Sequence, residues 1–240
     1  MPQIKLLAFS SSKVGSNEYL QDALPVIKNF LGSKKLNIAF IPFASAYSYQ
    51  NYFDKVNNVI GNDYKLDLVL PDNASEVIKN AEVILVGGGN TFKLLHDLYF
   101  LNLISLIREK VNGGTPYIGW SAGSNIAGKT ISTSNDMAII LPQSFDALNF
   151  LQFNINPHYT NKTIEGHNGE SREQRLEEFL QINSDEKVIC LPEGCWLKYE
   201  NKTLTYNGIS EGTIFETDKQ TKEILKVLIK INENISRVMY

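Results

Sequence analysis

Cysteine and histidine are scarce in this sequence. Two cysteines, Cys190 and Cys195, and three histidines, His96, His158 and His167, occur in 240 residues. Two thiols cannot build a disulfide framework, and a reduced pair is the expectation for a chain of the cytosol. The histidines have neither His-Glu-x-x-His spacing nor a second cysteine pair beside them, so neither metal nor cofactor is expected. Long apolar runs are also missing. No segment approaches the roughly 20 apolar residues of a spanning helix, and the N-terminus has neither the charged start nor the apolar stretch of a signal peptide. A soluble, cytoplasmic protein with no membrane partner is therefore expected. Excess basic charge is absent as well, since the net charge is -3 and lysines and arginines are spread along the chain. That gives no reason to expect a nucleic-acid partner and suits a small substrate better. No repeat, low-complexity tract or linker interrupts the sequence, and 43% hydrophobic residues suffice for a buried core. The expectation is a single α/β domain over residues 1–240, as a monomer or homodimer.

What is present is a regular alternation. Apolar runs at 4–9, 36–41, 64–70, 82–86 and 116–120 read as strands, and helix-period segments lie between them near 17–31, 49–60 and 91–111. Several of these strands, such as Ile84-Leu85-Val86, are continuous apolar runs, as burial on both faces requires. A mostly parallel sheet with helices on both sides follows. Beyond residue 130 the strand-like pieces shorten, to 137–141, 151–155, 187–191, 195–199 and 203–206. Ser171 opens a helix with capping-box spacing to Gln174. A final helix is expected over 218–232, with Ile224, Leu225, Leu228 and Ile231 on one stripe.

The sharpest local signal is Gly119-Trp120-Ser121-Ala122-Gly123, placed after a strand and before a run of small residues. A tight strand-to-helix turn of this kind lifts a serine hydroxyl out of the fold and uses glycines for close approach, and it aims the next backbone N–H at an oxyanion. Ser121 is the candidate nucleophile and Ala122 a candidate oxyanion donor. Val86-Gly87-Gly88-Gly89-Asn90-Thr91 ends another strand. Its glycines lack the Lys-Ser/Thr of a P-loop, and they suit a second backbone donor brought alongside by a neighbouring parallel strand. A serine nucleophile needs a base. His158, in Asn156-Pro157-His158 after a strand-like stretch, is favoured over mid-helix His96 and over His167 in its glycine loop. The carboxylate that orients such an imidazole can be Asp136 or Glu193, and the residues leave that choice open.

Together these residues resemble peptidase E, the aspartyl dipeptidase family of serine peptidases. The matching runs include Ile41-Pro42-Phe43-Ala44, 86–92, 117–125, Asn135-Asp136-Met137, Phe145-Asp146-Ala147-Leu148, Ile155-Asn156-Pro157-His158, Glu165-Gly166-His167, Arg172-Glu173-Gln174-Arg175 and Leu191-Pro192-Glu193-Gly194. Ser124 stands where alanine is more usual in the family. The resemblance implies a three-layer α/β/α sandwich akin to the class I glutamine amidotransferase domain. It also implies Ser121 as nucleophile, His158 as base, and Gly89 and Ala122 as oxyanion donors, with both Asp136 and Glu193 at acidic positions of the catalytic machinery. It further implies Arg172 as the group holding the substrate's aspartyl carboxylate, a role that residues alone would not assign to an arginine in a first helical turn. The implied reaction is hydrolysis of small Asp-X dipeptides. The rival readings are an esterase of α/β-hydrolase type, an isoaspartyl or cyanophycin-type hydrolase, and a silent binding module on the same fold.

Overall fold

A computed structural model describes residues 4–162 and 168–240. Strands β1 (Leu6–Phe9), β2 (Asn37–Ile41), β3 (Lys65–Leu68), β4 (Val83–Val86) and β5 (Tyr117–Trp120) alternate with helices α1 (Ala23–Leu31), α2 (Tyr49–Ile60), α3 (Ala74–Asn80), α4 (Thr91–Phe100) and α5 (Ile104–Asn112). A short helix α6 (Ala122–Asn125) precedes β6 (Asn154–Pro157), α7 (Arg172–Ile182), β7 (Lys187–Leu191), β8 (Cys195–Glu200), β9 (Thr203–Gly208), β10 (Gly212–Thr217) and β11 (Ile224–Ile229). The seven-stranded sheet has the order β3-β2-β4-β5-β1-β8-β9. Its first five strands are parallel, and β8 and β9 join antiparallel. A second sheet, β11-β10-β7-β6, stands beside it.

The continuous apolar strands are explained by the two covered faces. Leu6, Ala8, Ala39, Ile41, Ile84 and Val86 pack against Ile78 of α3, Leu94 and Leu98 of α4, and Ile107 of α5. Their neighbours Leu7, Phe9, Ile38, Phe40, Leu85 and Trp120 pack on the other side against Ile27 of α1 and Val56 and Ile60 of α2. The fold is therefore a three-layer α/β/α arrangement around a mostly parallel sheet. The second sheet shares the first of these clusters through Ile155, Ile189, Leu191 and Ile214. On its far side Val188, Cys190 and Phe215 meet Leu176 and Leu180 of α7. Both cysteines are free and buried.

Several expectations are corrected. Residues 218–232 form no helix. Asp218 instead caps a turn, its Oδ1 accepting from the N–H groups of Gln220 and Thr221 at 2.8 Å each, and β11 returns antiparallel along β10. The stripe Ile224, Leu225, Leu228, Ile231 fits helical spacing, but Leu225 and Leu228 are exposed and the paired edge of β10 decides the conformation. The helix expected at 91–111 breaks in two at Asn102, whose φ of 55° leaves the helical region. The helix expected from residue 17 begins only at Ala23, and α3 was not anticipated. Residues 137–141 form no strand, with Met137 and Leu141 exposed, and the strand expected at 151–155 lies at Asn154–Pro157. Ser171 does cap α7 through a reciprocal capping box with Gln174.

Candidate active site

Ser121 sits between β5 and α6 with φ 53° and ψ -114°, a conformation sparsely populated for a non-glycine residue. Holding it costs on the order of 1–3 kcal/mol, so the surroundings must over-determine it. They do so mainly through main chain. The Ser121 N–H donates to Phe9 O at 3.1 Å, and the N–H groups of Ser124 and Asn125 both donate to Ser121 O at 2.9 Å. A Cβ on Gly123 would stand 2.3 Å from Val86 O, so only glycine lets α6 press this closely on β4. The buried Ser124 hydroxyl lies 2.6 Å from Phe9 O and 2.9 Å from Gly119 O. The serine that departs from the usual alanine thus ties the turn to β1.

His158 follows β6, and Glu193 follows β7, the strand paired in parallel with it. The imidazole bridges the two polar groups, with Nε2 2.9 Å from Ser121 Oγ and Nδ1 3.1 Å from Glu193 Oε1. These partners assign the tautomer: a ring that donates from Nδ1 to the carboxylate leaves Nε2 free to accept from the serine hydroxyl. Glu193 is the more exposed partner, its side chain retaining 56% of its accessible surface.

Asp136 goes elsewhere. Its Oδ2 accepts from the Thr91 N–H at 2.7 Å and the Thr91 hydroxyl at 2.6 Å, satisfying a donor at the start of α4 while Asn90 caps the N–H of Lys93. The choice between the two acids was illegible in the sequence because both stand in loops beside strand-like segments, and only the long-range packing of those loops decides which one meets the ring. Asp136 still borders the reacting groups. A cavity of about 170 Å³ is lined by Ser121, His158, Asp136, Asn135, Thr91 and Arg172. A larger cleft of about 850 Å³ opens on the other side of His158 and Arg172, toward Glu193, Lys162 and Glu211.

Arg172, at the first turn of α7, is half-buried and donates from Nη1 to the His158 carbonyl. Burial lowers its pKa, yet a guanidinium stays charged at any ordinary pH. The Gly87–Gly89 loop lies beside Ser121, since a Cβ on Gly88 would come within 2.9 Å of the serine Cβ. Gly89 has a φ of 139°. Among the described residues, none accepts from the backbone N–H of Gly89 or Ala122. His96 instead meets Asp97 at 3.0 Å and stacks on Phe100, and it does not line the cavity. The expectation for His167 lies outside the described residues. No group of His, Cys, Asp or Glu among the described residues is arranged to hold a metal ion. No described helix is long and apolar enough to cross a membrane.

Two polar side chains that belong to no recognised motif also bear on this geometry. The buried Ser10 hydroxyl, at the end of β1, accepts from the His158 N–H at 2.9 Å and donates to Leu191 O at 2.8 Å. The Tyr52 hydroxyl donates to Gly88 O at 3.1 Å and accepts from Trp120 Nε1 at 3.0 Å. The only available signal for Ser10 was its place at the carboxyl end of a parallel strand, the edge at which such sheets collect ligands.

Known proteins of one family match most of this chain. The model of peptidase family S51 matches residues 6–207. A peptidase E of Nostoc sp. is 51% identical over 222 residues, covering 91% of this chain and 92% of that protein. A peptidase E of Haemophilus influenzae is 46% identical, over 82% of this chain and 92% of the relative. Among solved structures, a peptidase from an acI-B1 Actinobacterium superposes with a TM-score of 0.67 at 17% identity, covering 98% of this chain and 97% of that one.

Proposed function

The chain belongs to peptidase family S51 as a serine-type enzyme of the peptidase E kind, and from that premise we propose that it hydrolyses dipeptides with an N-terminal aspartyl residue through Ser121, His158 and Glu193. The observation that carries the reading is the imidazole bridging a strained serine and a carboxylate. In this mechanism Ser121 Oγ attacks the peptide carbonyl as its proton passes to His158 Nε2. The oxyanion is met by the backbone N–H groups of Gly89 and Ala122. Glu193 fixes the tautomer and stabilises the imidazolium, which then protonates the leaving amine. An aspartyl ester on Ser121 remains. Water, deprotonated by the same imidazole, releases aspartate and restores the serine.

Arg172 is the proposed partner of the aspartyl side chain. One arm of its fork is engaged by the His158 carbonyl, and the remaining N–H donors suit a carboxylate in the small cavity. We assign Asp136 a fixed wall of that cavity rather than the relay, because Thr91 occupies its Oδ2. The hydrolytic unit is the whole chain over residues 1–240: Ser121 comes from one sheet, and His158 and Glu193 follow strands of the other. Two free, buried thiols fit a cytoplasmic setting.

The test is a substrate panel with wild type and Ser121→Ala. Asp-Leu should be cleaved far faster than isoaspartyl-leucine or a simple ester, and Ser121→Ala should lose more than about 10³-fold with its fold intact. Preference for the isoaspartyl bond would reassign the substrate. Substantial activity in pure Ser121→Ala would remove the serine mechanism.

A further inference from the structure

The reacting groups hang from two sheets, and one buried hydroxyl joins them. Ser10 follows β1 in the seven-stranded sheet, where the preceding carbonyl, Phe9 O, receives the Ser121 N–H at 3.1 Å. The Ser10 side chain crosses to the other sheet. It accepts from the His158 N–H at the end of β6 and donates to Leu191 O at the end of β7, two residues before Glu193. Its own N–H donates to Cys195 O at 2.9 Å, on the far side of Glu193. Ser10 is wholly buried, so no water stands in for these bonds. Its single hydroxyl proton is committed to Leu191, which leaves a lone pair for His158.

His158 needs such a hold. Its φ of 53° is left-handed, a region that a residue with a Cβ occupies only under constraint. Its N–H is taken by Ser10 and its carbonyl by Arg172, so both ends of the residue are fixed by side chains. Past Pro157 one main-chain bond ties the segment to β7, from the Tyr159 N–H to Leu191 O at 3.0 Å, and the Ser10 hydroxyl donates to that same carbonyl. Resting on the Ser121–His158–Glu193 reading above, we propose that Ser10 is a positioning residue of the reaction, whose hydroxyl sets His158 and the Glu193 loop against Ser121. It touches neither substrate nor reacting atoms and acts through the backbone of the base. A displacement of the ring of about 1 Å is enough to cost on the order of 10²-fold in rate, and the Ser10 bond is the hold on the His158 N–H that opposes it.

The experiment compares Ser10→Ala, Ser10→Thr, Ser121→Ala and His158→Ala on Asp-Leu, with active sites titrated by a fluorophosphonate so that kcat is counted per competent serine. Ser10→Ala is expected to lower kcat by about 30- to 100-fold while KM stays within about twofold, because the small cavity is untouched. Ser10→Thr keeps the hydroxyl and should recover most of kcat. A purely structural serine would instead lower the titrated fraction and the melting temperature and leave kcat per site unchanged. That outcome overturns the proposal, as does a Ser10→Thr enzyme that folds normally yet is no faster than Ser10→Ala. If Ser121→Ala and His158→Ala are inactive but Ser10→Ala turns over like wild type, only the role of Ser10 falls. If those two variants remain active, the underlying serine mechanism falls with it.

Discussion

The two halves of the site are held by different means. Ser121 is gripped by main chain, through Phe9 O, the N–H groups of Ser124 and Asn125, and the glycine contact of Gly123 with Val86. His158 and Glu193 lie just past strand ends, where main-chain bonds hold their neighbours Tyr159 and Cys195 but the two residues themselves are held by side chains: Ser10 and Arg172 on the histidine, and the histidine itself on the glutamate. Main-chain bonds deep in a sheet survive most substitutions, whereas a side-chain clasp is lost with one atom. The nucleophile should therefore be robust toward change around it, and the base and its acid fragile.

The largest test of that contrast is at the acid. Glu193→Gln should cost between about 10² and 10⁴ in kcat, below the full loss of about 10⁴ seen for a buried orienting aspartate. The side chain is 56% exposed, so water and the amide can each replace part of what the carboxylate does. Asp136→Asn should cost much less, since the amide oxygen still accepts from Thr91 and α4 keeps its start. Steady-state kinetics of both variants decide it. A larger loss at Asp136 would return the orienting role to that residue and break the present assignment.

Arg172 sharpens the comparison, because it serves both the base and, in our reading, the substrate. Arg172→Met should slow Asp-Leu and Asn-Leu alike through the lost hold on the His158 carbonyl. It should slow Asp-Leu further through the lost charge pair. The range for breaking a buried pair is about 2–5 kcal/mol, and a half-buried guanidinium belongs at its lower end, so the Asp/Asn preference should fall by roughly 30-fold. Arg172→Lys should restore only part of it, having charge without the fork. An unchanged Asp/Asn ratio would leave Arg172 with the histidine alone.

Legibility in the sequence follows the range of the forces involved. The turn at Ser121 could be read because its determinants are five consecutive residues, and the inner strands β1, β2, β4 and β5 because burial on both faces makes each a largely continuous apolar run, whereas edge strand β3 alternates. The partner of His158 could not, since Asp136 and Glu193 differ only in which distant loop reaches the ring. Ser10 could not either, because its two partners lie 148 and 181 positions away. The strand at 224–229 was hidden by a stripe compatible with a helix, and only the neighbouring β10 breaks the tie. Local chemistry was visible, and the clasps between sheets were not.

The smallest effect is expected on the nucleophile side, at Tyr52. Its hydroxyl joins Trp120 Nε1, next to Ser121, to Gly88 O, next to the proposed oxyanion donor. Tyr52→Phe removes that link much as Ser10→Ala removes the other. The stability cost should be similar in kind: a buried indole N–H loses its acceptor, worth about 1–3 kcal/mol and nearer 1 because the Tyr19 hydroxyl, 3.4 Å from that of Tyr52, remains beside it. For a chain of this size that is a fall of roughly 2–4 °C in Tm. The rate should differ. Gly87 N–H still donates to Ile41 O at 3.0 Å and Asn90 N–H to Ala44 O at 2.8 Å, so the glycine loop keeps its place by main chain. We expect kcat to fall by no more than about threefold, against the far larger loss at Ser10, since main-chain anchors leave little room for the roughly 1 Å displacement that costs 10²-fold. Thermal melts and kcat per titrated site, measured together on the two variants, check this. A Tyr52→Phe enzyme that melts like wild type yet loses a hundredfold in kcat would mean that the oxyanion loop, too, depends on a side-chain clasp, and the contrast between the two halves of the site would disappear.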